Sequence, residues 1–171
     1  MDINELKESL ENLNPNLYSH CISTMEEAER LALHYGVSTE KAKIAGLLHD
    51  CGKKMSKGID NMTHAKLGAE LAKNVYNVHD EEILNAIMYH TTGRENMTKL
   101  DKIIFIADKI EPRRKYEGVD ELRIIAYKNI DDAIIMSLES TINYVKNRNL
   151  ELDNESIMTL NFLRRQNESR P

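Results

Sequence analysis

His49 and Asp50 close the apolar run Ala45-Gly46-Leu47-Leu48. An imidazole and a carboxylate set against such a wall cost roughly 2–7 kcal/mol each if buried without partners. A divalent cation is the partner that suits neutral imidazole plus carboxylate. The dipeptide alone is weak evidence, because His79-Asp80 repeats it. There Asp80 stands before Glu81-Glu82 and reads as a helix N-cap, with His79 as an exposed loop residue. Company separates the first pair from the second. His20 is in line with Thr24 and Leu31, and His64 heads a face that continues through Leu67, Gly68 and Leu71. His90 follows Ile83 and Ile87, and Asp108 follows Ile104 and Ala107. Each of these taken singly reads most simply as a hydrogen-bonded core residue. Taken together they put too many ionisable groups on inward helix faces, and helical bundles build metal sites from such side chains.

The elements that must position these residues read as helices throughout. Ile3, Leu6, Leu10 and Leu13 recur at three- and four-residue steps until Pro15. Asn14 caps a second helix with Pro15 in its first position, and Gly36 follows its end. Ser38 caps a third, with Gly52 just beyond it as a terminator. Asn61 or Thr63 opens a fourth and Asp80 a fifth. Thr98 with Asp101 forms a capping box for a helix that stops before Pro112. Two or three further helices are marked by Leu122/Ile125, Ile134/Leu138/Ile142/Val145 and Ile157/Leu160/Leu163. The stretch Lys53 to Met62, with Lys53, Lys54, Lys57, Gly58 and Asp60, reads as irregular. No repeat, low-complexity tract or linker divides the chain, so the expectation is a single all-α domain over residues 1–171.

Composition narrows the function classes. The 171 residues are 41% apolar and 30% charged, a globular balance, and only seven glycines and three prolines are present for turns. A net charge of −5 argues against a dedicated nucleic-acid binder or a binder of anionic membranes. It leaves room for a small anionic substrate held by a few placed cations. With no tryptophan and 5% aromatics, stacking platforms for single strands are not expected. Cys21 and Cys51 form no C-x-x-C, and the first residues form no signal peptide, so a cytoplasmic location is the expectation. His34, before Tyr35-Gly36, suits a helix C-terminus. Cys51 reads as packing at a helix end and the methionines as core filling.

The order His20, His49-Asp50, Asp108 resembles the metal signature of the HD-domain phosphohydrolase superfamily. More specifically, four elements together resemble the YqeK family over about residues 15–165. They are Ala45-Gly46-Leu47-Leu48-His49-Asp50, His64, Tyr89-His90-Thr91-Thr92-Gly93-Arg94, and Ala107-Asp108-Lys109-Ile110-Glu111-Pro112 with Arg114. The resemblance implies an HD-domain helical bundle with a buried metal centre. The implied activity is symmetrical hydrolysis of diadenosine tetraphosphate to two ADP by metal-activated water. His20, His49, Asp50 and Asp108 would hold one ion, and Asp50 would bridge to a second held by His64 and His90. Asp50, His64 and His90 are thereby the catalytic candidates. Lys53, His64, His90, Arg94 and Arg114 would contact the phosphates. The donor set suits iron, manganese or zinc better than calcium, and the resemblance favours iron, one or two ions per chain. The expected partner is a small nucleotide, without nucleic acid or membrane, and a homodimer is left open. Two departures stand out. The interval from Asp50 to His64 is shorter than is usual in the family, and Asp153-Asn154-Glu155-Ser156 stands where members tend to carry His-Pro-Asp-Thr. The alternatives are an HD phosphohydrolase of deoxynucleotides or an alarmone, and a non-catalytic nucleotide-sensing module.

Overall fold

Local capping chemistry sets most of the helix boundaries. The structure, a computed structural model, describes residues 2–55 and 61–170, without the side chains of residues 54 and 61–63. Lys57, Gly58 and Asp60 of the expected irregular stretch lie outside the described residues. Among those described there are nine α-helices and no strand. They are α1 (Ile3–Leu10), α2 (Pro15–Tyr35), α3 (Thr39–Leu48), α4 (Asn61–Asn74), α5 (Glu81–Met88), α6 (Lys99–Ile110), α7 (Val119–Lys128), α8 (Ile130–Asn147) and α9 (Asn154–Glu168), with a 3-10 turn at Cys51–Lys54. Asn14, Ser38 and Asp80 cap α2, α3 and α5 as their residue types predict. Thr98 and Asp101 form the full capping box of α6. Gly36 takes φ +67° after α2, which lets Val37 N–H reach Ala32 O at 2.8 Å and closes the helix end. No described helix is long and apolar enough to cross a membrane.

Helix α6 is the hub. Leu100, Ile103, Ile104, Phe105, Ile106, Ala107 and Ile110 are all buried, so it is apolar on nearly every side. That is the pattern of a helix enclosed by neighbours rather than lying on a surface. It packs on α2, α3, α5, α7 and α8, while α9 lies on α8. Two close approaches then bring the remaining elements to one place. A Cβ on Gly46 would stand 2.9 Å from Met25 Cα, so α2 and α3 meet backbone to backbone. A Cβ on Gly52 would overlap the His64 carbonyl oxygen and come within 2.7 Å of Gly68 N. Gly52 is therefore not the helix terminator its position suggests: α3 already ends at Leu48, with His49 as C-cap. Its missing side chain lets α4 lie directly on the 3-10 turn.

Candidate metal centre

These approaches converge on six side chains. His20 comes from α2, His49 and Asp50 from the end of α3, His64 from α4, His90 from just past α5, and Asp108 from α6. His49, Asp50, His64 and His90 are buried, and the side chains of His20 and Asp108 are 13% and 12% exposed. The ring orientations follow from what each Nδ1 meets. His49 Nδ1 lies 2.7 Å from Gly46 O, and His90 Nδ1 lies 2.7 Å from Ile87 O. His20 Nδ1 lies 3.0 Å from Glu111 Oε1. A carbonyl or carboxylate can only accept, so each Nδ1 carries its proton and each neutral ring turns an Nε2 lone pair inward. His20 Nε2 then stands 3.2 Å from His49 Nε2 and 3.0 Å from Asp108 Oδ1. His64 Nε2 stands 3.2 Å from His90 Nε2.

Lone pairs facing lone pairs at this range repel unless a cation lies between them. The spacing suits one. Bonds of about 2.0–2.2 Å to a tetrahedral or octahedral ion put neighbouring donors about 2.8–3.6 Å apart. Two sets meet that condition, His20/His49/Asp50/Asp108 and Asp50/His64/His90. Asp50 belongs to both. Its Oδ2 is 3.4 Å from His20 Nε2 and 3.3 Å from His49 Nε2. Its Oδ1 is 3.2 Å from His64 Nε2 and 3.4 Å from His90 Nε2. Buried Oδ1 has no hydrogen-bond donor among the described residues. His90 Nε2 turns a lone pair to it, and the atom is placed to serve as a ligand. The residues fit a divalent metal.

The electrostatics agree. Burial works to raise the pKa of Asp50 and Asp108, but the surrounding imidazoles outweigh it and hold both carboxyls well below the usual range. Burial works to deprotonate His49, yet Asp50 and Asp108 lift it to about 10. His20 is raised against burial by the same two carboxylates, whereas burial prevails at His90 and lowers it. The carboxylates thus demand positive charge at this spot, and a proton on His49 competes with a metal for it.

The cations divide. Lys53 Nζ lies 2.6 Å from Asp50 Oδ2, with its side chain 42% exposed. Arg114 donates from Nη2 to Asp108 Oδ1 and from Nε to Asp108 O, each at 2.8 Å. Arg94, expected at the phosphates, is not brought to the cluster. The buried carboxylate of Asp101 holds its guanidinium at 2.8 Å, and the group lies over the Tyr89 ring. Sequence reasoning assigned no role to Glu111 or Lys109. Glu111 is buried and orients His20. Its spacing of three from Asp108, on one helix face, was the available signal. Lys109 lies over the Phe105 ring with Nζ 3.7 Å from Asp108 Oδ2, and burial pulls its ammonium below the ordinary lysine range. His79 is exposed, as read, and Asp80 is a cap. Burial and the nearby Asp50 charge push the Cys51 thiol up to about 12, which leaves it inert at neutral pH. A cleft of about 910 Å³ opens over the centre, lined among others by Lys53, Lys66 and Lys109, by Tyr144, Leu150 and Leu152, and by Glu151, Asp153 and Glu155.

A helical core with a His/His-Asp/Asp centre defines an HD-domain protein, and the HD domain family model matches residues 17–113. The chain is 36% identical to the symmetrical bis(5'-nucleosyl)-tetraphosphatase of Halalkalibacterium halodurans, over 88% of this chain and 90% of that one. It is 35% identical to the enzyme of the same description from Bacillus subtilis, over 88% and 91%. A crystal structure of an HD superfamily hydrolase from Clostridium acetobutylicum, described as involved in NAD metabolism, superposes with a TM-score of 0.88 at 38% identity, over 97% and 98% of the two chains. The chain belongs to the symmetrical bis(5'-nucleosyl)-tetraphosphatase family of HD-domain hydrolases.

Proposed function

We propose that this protein hydrolyses diadenosine tetraphosphate at its centre and releases two ADP. The observation that carries the reading is Asp50, which offers one oxygen to each of two ligand sets on the floor of a lysine-lined cleft. Family membership supports the substrate. We assign the first set to one ion and the second to another; the mixture of imidazole and carboxylate suits iron, manganese or zinc, and the family resemblance favours iron. Divalent cations held there supply Lewis acidity toward water and toward phosphate oxygens.

The remaining work falls to the chain. His49 and His90 are locked by backbone carbonyls, and His20 by Glu111, so the donors need no reorganisation when charge develops. Lys53 stands at the cleft edge beside Asp50, and Arg114 beside Asp108, where each can contact a phosphate. Water adds to one of the two inner phosphorus atoms. The oxygen bridging the inner phosphates leaves with the other half, and the protons released pass to solvent. Chromatography of a single turnover should show ADP alone. ATP and AMP in equal amounts would refute the reading.

A further inference from the structure

A second cavity, of about 310 Å³, lies beside the cleft. The two share three residues, Asp108, Lys109 and Thr141. Lys109 thus stands on the saddle between them. Helix α8 forms their common wall: Ser137 and Ser140 face the smaller cavity, Thr141 faces both, and Tyr144 faces the cleft. Steps of three and four residues keep these four on one helix face, with about 10 Å along the axis between the first and last. Each cavity combines cations with an apolar wall that includes one tyrosine, and each also carries carboxylates, Glu151, Asp153 and Glu155 in the cleft and Glu117 in the smaller cavity. In the cleft the wall is Tyr144 and Leu150, and in the smaller cavity it is Tyr116, Leu122 and Met136. Arg114 lies at the saddle end of the smaller cavity, on Asp108, and Glu117 on its wall can accept from an amino or ribose hydroxyl group. Its volume falls at the lower end of the range of about 300–1,000 Å³ that holds small ligands.

We propose that the smaller cavity binds the second nucleoside of the dinucleotide, so that the polyphosphate crosses Lys109 from one cavity to the other above the metal ligands. This rests on the proposed function and adds to it where each half of the substrate lies. A substrate with two nucleoside ends can occupy two compartments at once, and the arrangement provides them on either side of Lys109.

The test counts ADP on the metal-loaded full chain by equilibrium dialysis. The expected value is two per chain, falling to one in Ser140→Trp, whose indole fills the smaller cavity. The ratio of kcat/KM for diadenosine tetraphosphate to that for adenosine tetraphosphate, which has a single nucleoside, should fall at least about tenfold, the usual effect of losing one apolar contact surface. Glu117→Leu, at an exposed position, should weaken the second ADP only and serves if the tryptophan variant does not fold. One ADP per chain in the parent, or two that neither variant disturbs, overturns the inference. A parent that binds two ADP without cleaving diadenosine tetraphosphate would instead strike the proposed activity and leave the two compartments standing.

Discussion

Gly52→Ala tests whether the contact between α4 and the 3-10 turn sets the geometry of the centre. The added methyl would overlap the His64 carbonyl oxygen and stand 2.7 Å from Gly68 N. Both are backbone atoms and cannot swing aside as a side-chain tip can. Ordinary contact begins near 3.4 Å, so α4 must retreat by at least about 0.7 Å. Metal ligands tolerate displacements of about 0.2 Å. The retreat carries His64 out of reach of Asp50 Oδ1 and leaves His20, His49 and Asp108 on the far side of Asp50 undisturbed. Overpacking of this kind costs about 1–3 kcal/mol. At about 2–4 °C per kcal/mol for a chain of this size, Tm should fall by about 2–12 °C. The assay is metal content per chain beside turnover, both measured well below the variant's Tm. Expected are one metal instead of two, unchanged helical circular dichroism, and at least a hundredfold loss of turnover, about the worth of one oxyanion-stabilising contact. Two metals and full turnover would refute the argument that this glycine holds His64 in place.

His64→Ala and His90→Ala should each retain about one metal per chain and lose about 10²–10³ in kcat, seen by metal analysis with steady-state kinetics. Glu111→Gln removes the charge behind His20 Nδ1 and should weaken metal binding about 10–100-fold in a chelator competition, with the fold intact. Asp131 is kept ionised against burial by Lys102 at 2.6 Å and Arg170 at 2.7 Å. Its folded value lies below the unfolded one of about 3.9, so its contribution is complete above that pH and is lost as pH falls through the folded value. The stability gap between the parent and Asp131→Asn, from urea melts, should be constant above about pH 5 and close toward pH 3. A gap independent of pH would count against the pairing.

What the sequence disclosed was mostly local. Asn14, Ser38, Asp80 and the Thr98/Asp101 box could be read because a cap bonds the next two or three residues and needs no distant partner. The six centre residues were legible because polar side chains on apolar helix faces are costly and therefore few. The pairing of Arg94 with Asp101 was not legible, because Asp101 is buried by tertiary packing and a buried carboxylate holds a nearby guanidinium. Gly52 looked like a terminator because helix stops are a local rule, whereas its actual constraint comes from α4 lying across it. Glu111 and Lys109 gain their roles only when α2 and α8 close on α6. The turn beginning at Asp153 had no clear local meaning. In the structure Asp153 caps α9, and Asn154 and Ser156 reach the cleft wall.

Every ligand of the centre lies before residue 113, where the HD match ends. Helices α7, α8 and α9 supply no ligand: α8 lines both cavities, α7 the smaller one and α9 the cleft. The chain therefore falls into two consecutive passages, the first holding every ligand of the centre and the second lining the outer parts of the cavities. Exchanging the second for that of a relative would leave the ligand set of the first unchanged and read out what the outer walls contribute. The boundary for such a chimera falls in the short connection between α6 and α7, where a crossover interrupts no helix.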